Sequence, residues 1–404
     1  MRILYMTSRL PYPPDRGDRL RAYHFVKRLS SEHEVTLVSF VAHEAELAHA
    51  AQLRPFCRGV RVVQMSPRHS ALTAAANAWR REPLQVLYYR SSSMQRLVVQ
   101  TASEASAEGR PFDAAIAHLF RMAPYLERCA GAYRIVDLTD AISQEVDRSL
   151  PYRGLVWRMI YTLESPRIRR YERWTADSFD ESWLISQADR QLLAAQRPQA
   201  NLRVVPNGVD ASRFFPTHQP SLPDSLIFVG HLGVLHNIDA VTYLAREILP
   251  RVRAQVPGCT LEVVGASPSA DVRRLENLPG VTVVGYVQDL NQHLNRAAVF
   301  VAPLRFAAGV QNKVLEAMAA GRPVVTTSLV NAGLGAQAGR DLLVADGADD
   351  TASKIVGLLS DAERRARIGQ AGLAFVHQAH NWDRVALRMR EIEECRRSAA
   401  CVSS

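Results

Sequence analysis

Lysine is almost missing from this chain of 404 residues: Lys27, Lys313 and Lys354 stand among 49 basic side chains, and the rest are arginine. A bias of that kind speaks of codon usage more than of function. The formal net charge of +9 still favours anionic partners such as nucleotides, lipid headgroups or nucleic acid, without choosing among them. Cysteine is scarce too. Cys57, Cys129, Cys259, Cys395 and Cys401 are scattered, odd in number and free of any Cys-x-x-Cys, which argues against a zinc site or a disulfide framework and for reduced thiols. No apolar run reaches the roughly 18–20 residues that span a bilayer. The start, Met1–Met6, lacks the h-region and cleavage site of a secretion signal, so a cytoplasmic protein is expected. Gly-x-Gly-x-x-Gly does not follow the first strand, and Gly333-Leu334-Gly335 comes late with the wrong spacing, against a nicotinamide dehydrogenase. No recognised nucleic-acid-binding module appears, so no nucleic-acid partner is expected.

What is present is alternation. Apolar strand-like runs at Ile3–Thr7, Glu34–Phe40, Val60–Met65, Ala114–Ala117, Ile135–Leu138 and Glu181–Ile185 are separated by helical patterns, of which Asp18–Ser30 is the first. Val204–Asp210 reads as a strand entering a turn, and the proline-containing stretch Pro216–Asp224 as a linker. A second set follows at Ser225–Val229, Thr260–Val264, Val281–Val284, Val299–Ala302, Pro323–Thr326 and Asp341–Val344, and the chain closes on a helical stretch over Trp382–Arg397. Such alternation predicts parallel βαβ units, and the length suits two domains of about 200 residues. The expected fold class is α/β, two doubly wound Rossmann-like domains facing across a cleft.

The most informative stretch is Gly309–Val325. A glycine turn opens a helix, Lys313 and Glu316 sit in its first turns, and Gly321-Arg322-Pro323 ends it before an apolar strand. A helix start presents unpaired N–H groups and positive dipole character, a ready seat for phosphate. Lys313 adds a point charge, and Glu316 can accept from sugar hydroxyls. Pro206-Asn207-Gly208-Val209-Asp210, Phe228-Val229-Gly230, Val263-Val264-Gly265, Val283-Val284-Gly285-Tyr286-Val287 and the Leu315–Val325 block occur in order. The series resembles retaining GT-B glycosyltransferases of the GT4 type, which use sugar nucleotides. The segment Pro11–Arg21 is similar to a bacterial subgroup tied to exopolysaccharide and exosortase (PEP-CTERM) systems.

The resemblance implies a UDP- or GDP-sugar as donor substrate, no tightly bound cofactor, and a glycan or lipid-linked acceptor. The missing Asp-x-Asp fits a metal-independent enzyme of this kind. Residues 1–212 become the acceptor-side domain, 213–224 the linker and 225–378 the nucleotide-sugar domain. Residues 379–404 form a C-terminal helix, free to pack back on the first domain, and a tail. Glu316 is expected to hold the ribose, and the backbone around Gln311, Asn312 and Lys313 the phosphates. Arg305, just past a strand end, suits a diphosphate. Gly230 and His231 lie in a loop after a strand, where many relatives place Arg and Lys at the positions of His231 and His236. Gly285 and Tyr286 are expected to meet the base. The family places a Glu eight positions before Glu316, where this chain has Ala308, and Gln311 is the nearest substitute. In the first half, Gly17 opens a helix that can meet phosphate or acceptor, and His118 follows a strand end near where the family touches the donor sugar. Asp137 and Asp140 end the next strand and either meet acceptor hydroxyls or cap a helix. The expected catalytic set is His118, Arg305 and Lys313.

The stretch Arg148–Arg173 mixes arginines with Leu150, Tyr152, Leu155, Trp157, Met159, Ile160 and Tyr161, a composition that suits an anionic membrane surface as well as an ordinary amphipathic helix. Peripheral binding at the cytoplasmic face of the inner membrane is therefore one expectation. Two rival functions remain: a sugar-nucleotide epimerase on the same double fold, and a degenerate transferase serving as a scaffold, the latter kept open by Ala308, His231 and His236.

Overall fold

The computed structural model describes residues 1–306 and 309–402. The chain divides into unit 1, Met1–Pro206 with the segment from Trp382, and unit 2, Asn207–Asn381.

Unit 1 holds β1 (Arg2–Thr7), β2 (Glu34–Val41), β3 (Gly59–Gln64), β4 (Ala114–His118), β5 (Tyr133–Thr139), β6 (Glu181–Leu184) and β7 (Leu202–Val204). They form one parallel sheet in the order β3-β2-β1-β4-β5-β6-β7. The strand period of two splits its apolar side chains between two layers. Leu4, Met6, Val38, Phe40, Ala115 and Ala117 enter one core, and Ile3, Tyr5, Val35, Leu37, Ala114 and Ile116 the other. Burial on both faces is why these strands read as continuous apolar runs. The C-terminal helix Asp383–Val402 gives Val385, Met389 and Ile392 to the second core, beside the helix Gly17–Leu29. Trp382 stacks on His24 there, centroids 4.4 Å apart.

Unit 2 holds β8 (Ser225–Val229), β9 (Thr260–Val264), β10 (Val281–Gly285), β11 (Val299–Ala302), β12 (Val324–Thr326) and β13 (Leu343–Val344), parallel in the order β10-β9-β8-β11-β12-β13. The helix Asn312–Ala319 buries Val314, Leu315, Ala317 and Met318. It ends on Gly321 in the left-handed region (φ 69°), where Gly321 N–H donates to the Met318 carbonyl at 2.9 Å and Arg322 N–H to that of Ala317 at 3.0 Å. That double bond pattern is a Schellman stop, and Pro323 prevents further helix. Strand positions read from sequence lie within two residues of these bounds except at β7, where the strand expected to begin at Val204 instead ends there. Among the described residues no helix is long and apolar enough to cross a membrane.

Candidate functional site

In an open parallel sheet, ligands bind beyond the carboxyl ends of the strands, where successive connections leave in opposite directions. In unit 2 that point lies between β8 and β11. The loop after β8 leads into the helix Leu235–Tyr243, and the loop after β11 into Asn312–Ala319. The two helix starts bring Lys313 to Asn237, whose side-chain oxygen accepts from the lysine amine. The amine also stands 5.7 Å from the centroid of the Phe228 ring. Burial pushes the Lys313 pKa down to about 7, against the pull of Glu316 one turn on. Burial likewise pushes Glu316 up to about 7, with Arg213 and Lys313 pulling the other way. The pair is therefore poised between charged and neutral forms, a state that an anionic ligand would tip.

Asn237 is placed by what Gly230 lacks. A Cβ there would stand 2.9 Å from the Asn237 side chain, which also donates to the His231 carbonyl at 3.1 Å. Gly230 is the first of three glycines that close neighbouring strands. Its N–H donates to the Val264 carbonyl at 3.1 Å, and Gly265 N–H to the Gly285 carbonyl at 2.7 Å. A Cβ on Gly265 would fall 1.7 Å from the Gly230 carbonyl oxygen, so only glycine fits. The ends of β8, β9 and β10 thus form a rim without side chains. It leads to Tyr286, which is 73% exposed.

Asn312 accepts from Asn207 Nδ2 at 2.8 Å, which ties the turn after Pro206 to the helix start. The same turn carries Arg213 close enough to Glu316 to act on its charge. Gln311 is buried at the N-cap, its carbonyl accepting from Val314 N–H at 2.9 Å. His231 Nδ1 accepts from Gly233 N–H at 3.3 Å. His236 meets Phe306 edge to face at 6.5 Å, and burial beside Lys313 pushes its pKa down to about 3, so it is neutral. Arg305 is engaged with Asp239, its Nε donating at 2.9 Å, and lies 4.8 Å over the Tyr243 ring. Ala308, at the position of the expected Glu, lies outside the described residues. Asn237, Asn207, Arg213 and Asp239 escaped the sequence reading as site residues, although Asn207 stands in a quoted motif.

The switch point of unit 1 lies between β1 and β4, where Gly17 opens its helix and His118 ends β4. His118 is buried. Its Nδ1 meets Asp137 Oδ2 at 2.8 Å and its Nε2 the Asp18 carbonyl at 3.0 Å. Asp137 accepts from Arg21 Nε at 2.8 Å and Nη2 at 2.7 Å, and both side chains are fully buried. Burial opposes the Asp137 charge, yet Arg21 and His118 outweigh it and hold the pKa at about 2. Asp137 is fully buried, and Arg21 and His118 occupy its carboxylate. Asp140 differs: burial, Asp189 and Glu145 push its pKa well above the carboxylate range. The Asp18 carboxylate lies between Arg9 at 3.5 Å and Arg121 at 3.7 Å.

Two doubly wound parallel domains, the second with a phosphate-type helix start at its switch point, define a protein of the GT-B fold class. The family described as Glycosyl transferases group 1 matches residues 223–361. Two curated relatives are called GDP-mannose-dependent alpha-(1-6)-phosphatidylinositol monomannoside mannosyltransferase. The one from Mycobacterium tuberculosis is 30% identical over 322 residues, 74% of this chain and 77% of its own length. The one from Mycolicibacterium smegmatis is 30% identical over 336 residues, covering 76% and 81%. Among solved structures, sucrose-phosphate synthase from Thermosynechococcus elongatus superposes with a TM-score of 0.70 at 16% identity, covering 99% of this chain and all of that one. Anabaena Alr3699/HepE in complex with UDP gives 0.69 at 17% identity, covering 98% and 100%. The chain belongs to the group 1 glycosyltransferase family and is a glycosyltransferase.

Proposed function

We propose that the chain transfers a sugar, with retention of configuration, from a nucleoside diphosphate sugar to a growing, lipid-linked glycan of exopolysaccharide type. The observation that carries the reading is the glycine rim of β8, β9 and β10, running from the Lys313 helix start towards Tyr286. A base lies against Gly285 and Tyr286, the ribose hydroxyls against Glu316, and the diphosphate at the backbone of Asn312 and Lys313. The Mycobacterium tuberculosis and Mycolicibacterium smegmatis relatives are named for GDP-mannose and an α linkage, so GDP-mannose is the first donor to test. Their acceptor, a phosphatidylinositol monomannoside, supports a lipid-borne acceptor, with transfer at the cytoplasmic face of a membrane.

In the transfer, the bond from the anomeric carbon to the β-phosphate oxygen breaks, and the leaving diphosphate takes the electron pair. The acceptor oxygen bonds the anomeric carbon from the same face and gives its proton to a leaving phosphate oxygen. The charge growing on the diphosphate is met by Lys313, by the helix start and by Arg305 once it exchanges Asp239 for phosphate, a preorganised electrostatic role. With those cations in place, turnover is expected to persist in a chelator. Gly17 in unit 1 offers its helix start to polar groups of the acceptor.

A melting-temperature screen of GDP-mannose, UDP-glucose and other sugar nucleotides tests the donor, because a ligand of the folded state raises apparent stability. The best donor is then supplied with a lipid-linked acceptor and the anomeric configuration of the product read by NMR. A screen without any stabilising sugar nucleotide, or a product of inverted configuration, would overturn the reading.

A further inference from the structure

Unit 1 exposes apolar side chains on two segments that the catalytic reading leaves unused. On the helix Leu155–Ser178, Leu155 (76% exposed), Met159 and Leu163 (69%) fall at i, i+4 and i+8, one stripe, with Val156 beside it. Trp157 is exposed as well and meets Tyr161 a turn further on at 6.1 Å. On the second segment, the helix Pro67–Ala76 and the turn after it, Leu72 is 70% and Trp79 78% exposed. The chain just beyond each segment meets the other: Leu84 N–H donates to Glu164 Oε2 at 2.7 Å, and Glu164 also pairs with Arg167 at 3.0 Å.

Charge singles out one kind of partner. Residues 66–81 contain Arg68, Arg80 and Arg81, and residues 148–163 contain Arg148, Arg153 and Arg158; three acids, Glu82, Asp147 and Glu164, stand at the ends of these stretches, and Glu82 pairs with Arg80 at 3.8 Å. Arg153 lies 4.0 Å over the Tyr161 ring and Arg80 5.5 Å over Trp79, so each cation stays beside an aromatic ring. Aromatic and aliphatic side chains that enter the headgroup boundary, flanked by arginines, match an anionic bilayer surface. A second copy is a poor match, since apposed copies would set six arginines against six, with only the three flanking acids of each copy to offset them. We infer that the 66–81 and 148–163 segments together dock unit 1 onto a bilayer rich in anionic phospholipid. The inference deepens the lipid-linked acceptor reading by naming the surface that brings the enzyme to its acceptor.

Sedimentation of the full chain with vesicles tests it independently of catalysis. Binding is expected to phosphatidylcholine vesicles carrying about one-third phosphatidylglycerol, weakening with salt, and not to phosphatidylcholine alone. Arg148→Glu with Arg158→Glu should lower the partition coefficient by about tenfold or more. Trp79→Ser with Leu155→Ser and Met159→Ser should lower it comparably, and the tryptophan emission of the wild type, to which the exposed Trp79 and Trp157 contribute, should shift to the blue when vesicles are added. All these side chains are exposed, and unchanged melting temperatures would confirm that the variants fold. Absence of vesicle binding, binding unaffected by the substitutions, or a dimer in sedimentation velocity that the same substitutions abolish would each overturn the proposal. Vesicle binding without transfer to any lipid-linked acceptor would sink the acceptor reading and leave the surface standing. Transfer to such an acceptor without vesicle binding would do the reverse.

Discussion

The two switch points of this chain hold similar inventories and use them in opposite ways. Between β1 and β4, Arg21 and His118 are both bonded to Asp137 at 2.7–2.8 Å, fully or nearly buried. Between β8 and β11, Lys313 has a neutral amide as its hydrogen-bond partner, and its pKa and that of Glu316 are both driven towards 7. A closed network fixes local structure, whereas two buried groups pushed away from their charged forms respond to whatever charge is set beside them. Each side of the difference can be broken separately.

The largest expected effect falls on activity at the open site. Lys313→Ala should lower kcat by about 10²–10³, the scale of losing one preorganised group at a developing anion, with little change in melting temperature. Near-normal transfer by that variant would remove the phosphate role. At the closed site the largest effect falls on stability instead. Arg21→Ala leaves Asp137 buried without its cation and should cost about 3–5 kcal/mol in urea unfolding. Because the folded pKa of Asp137 lies below its unfolded value, the stability it adds is present above about pH 4 and fades as pH falls towards 2. A variant that unfolds like wild type would show that the network is not what fixes this end of the sheet.

How far the comparison was visible in the sequence follows from what a sequence records. Strands buried on both faces announce themselves as apolar runs, and the glycines at 230, 265 and 285 close three of them. The helix at Asn312 was legible because its glycine turn, Lys313, Glu316 and Gly321 all fall within the one short stretch 309–321. Arg21 and Asp137 are 116 residues apart, and Lys313 and Asn237 are separated by 76, so their pairing depends on sheet order and no local spacing reveals it. Arg305 shows the other limit. Its place past a strand end pointed to phosphate, but the helix that follows β8 supplies Asp239 to occupy it.

A smaller effect sharpens the charge argument. If a nucleoside diphosphate binds beside Lys313 as proposed, it favours the protonated amine and raises the bound pKa above the free value of about 7. The affinity of GDP or UDP, measured by calorimetry, should then be full below about pH 7 and decline as pH rises towards the bound pKa, with proton uptake on binding. Lys313→Arg should flatten that decline, because a guanidinium stays charged throughout. Affinity that is level from pH 6 to 9 in the wild type would mean that the lysine is fully charged before the ligand arrives.

The smallest effect concerns Arg305, the cation that is neither free like a ligand-seeking group nor sealed like Arg21. Its bond to Asp239 is solvent-exposed on the arginine side, and such pairs are worth about 0–1 kcal/mol. Exchanging carboxylate for phosphate therefore costs little, and a diphosphate carries more charge than Asp239 does. If the exchange happens, Asp239→Asn should tighten nucleotide binding by a few-fold, since the fork no longer has an anionic competitor. Arg305→Ala should weaken it by about tenfold at most, and the double variant should behave like Arg305→Ala alone. Tightening in Asp239→Asn that survives the loss of Arg305 would place the effect elsewhere, in the general removal of negative charge from the rim. In that event Arg305 belongs with the closed network in kind, a structural pair that happens to stand at the open site.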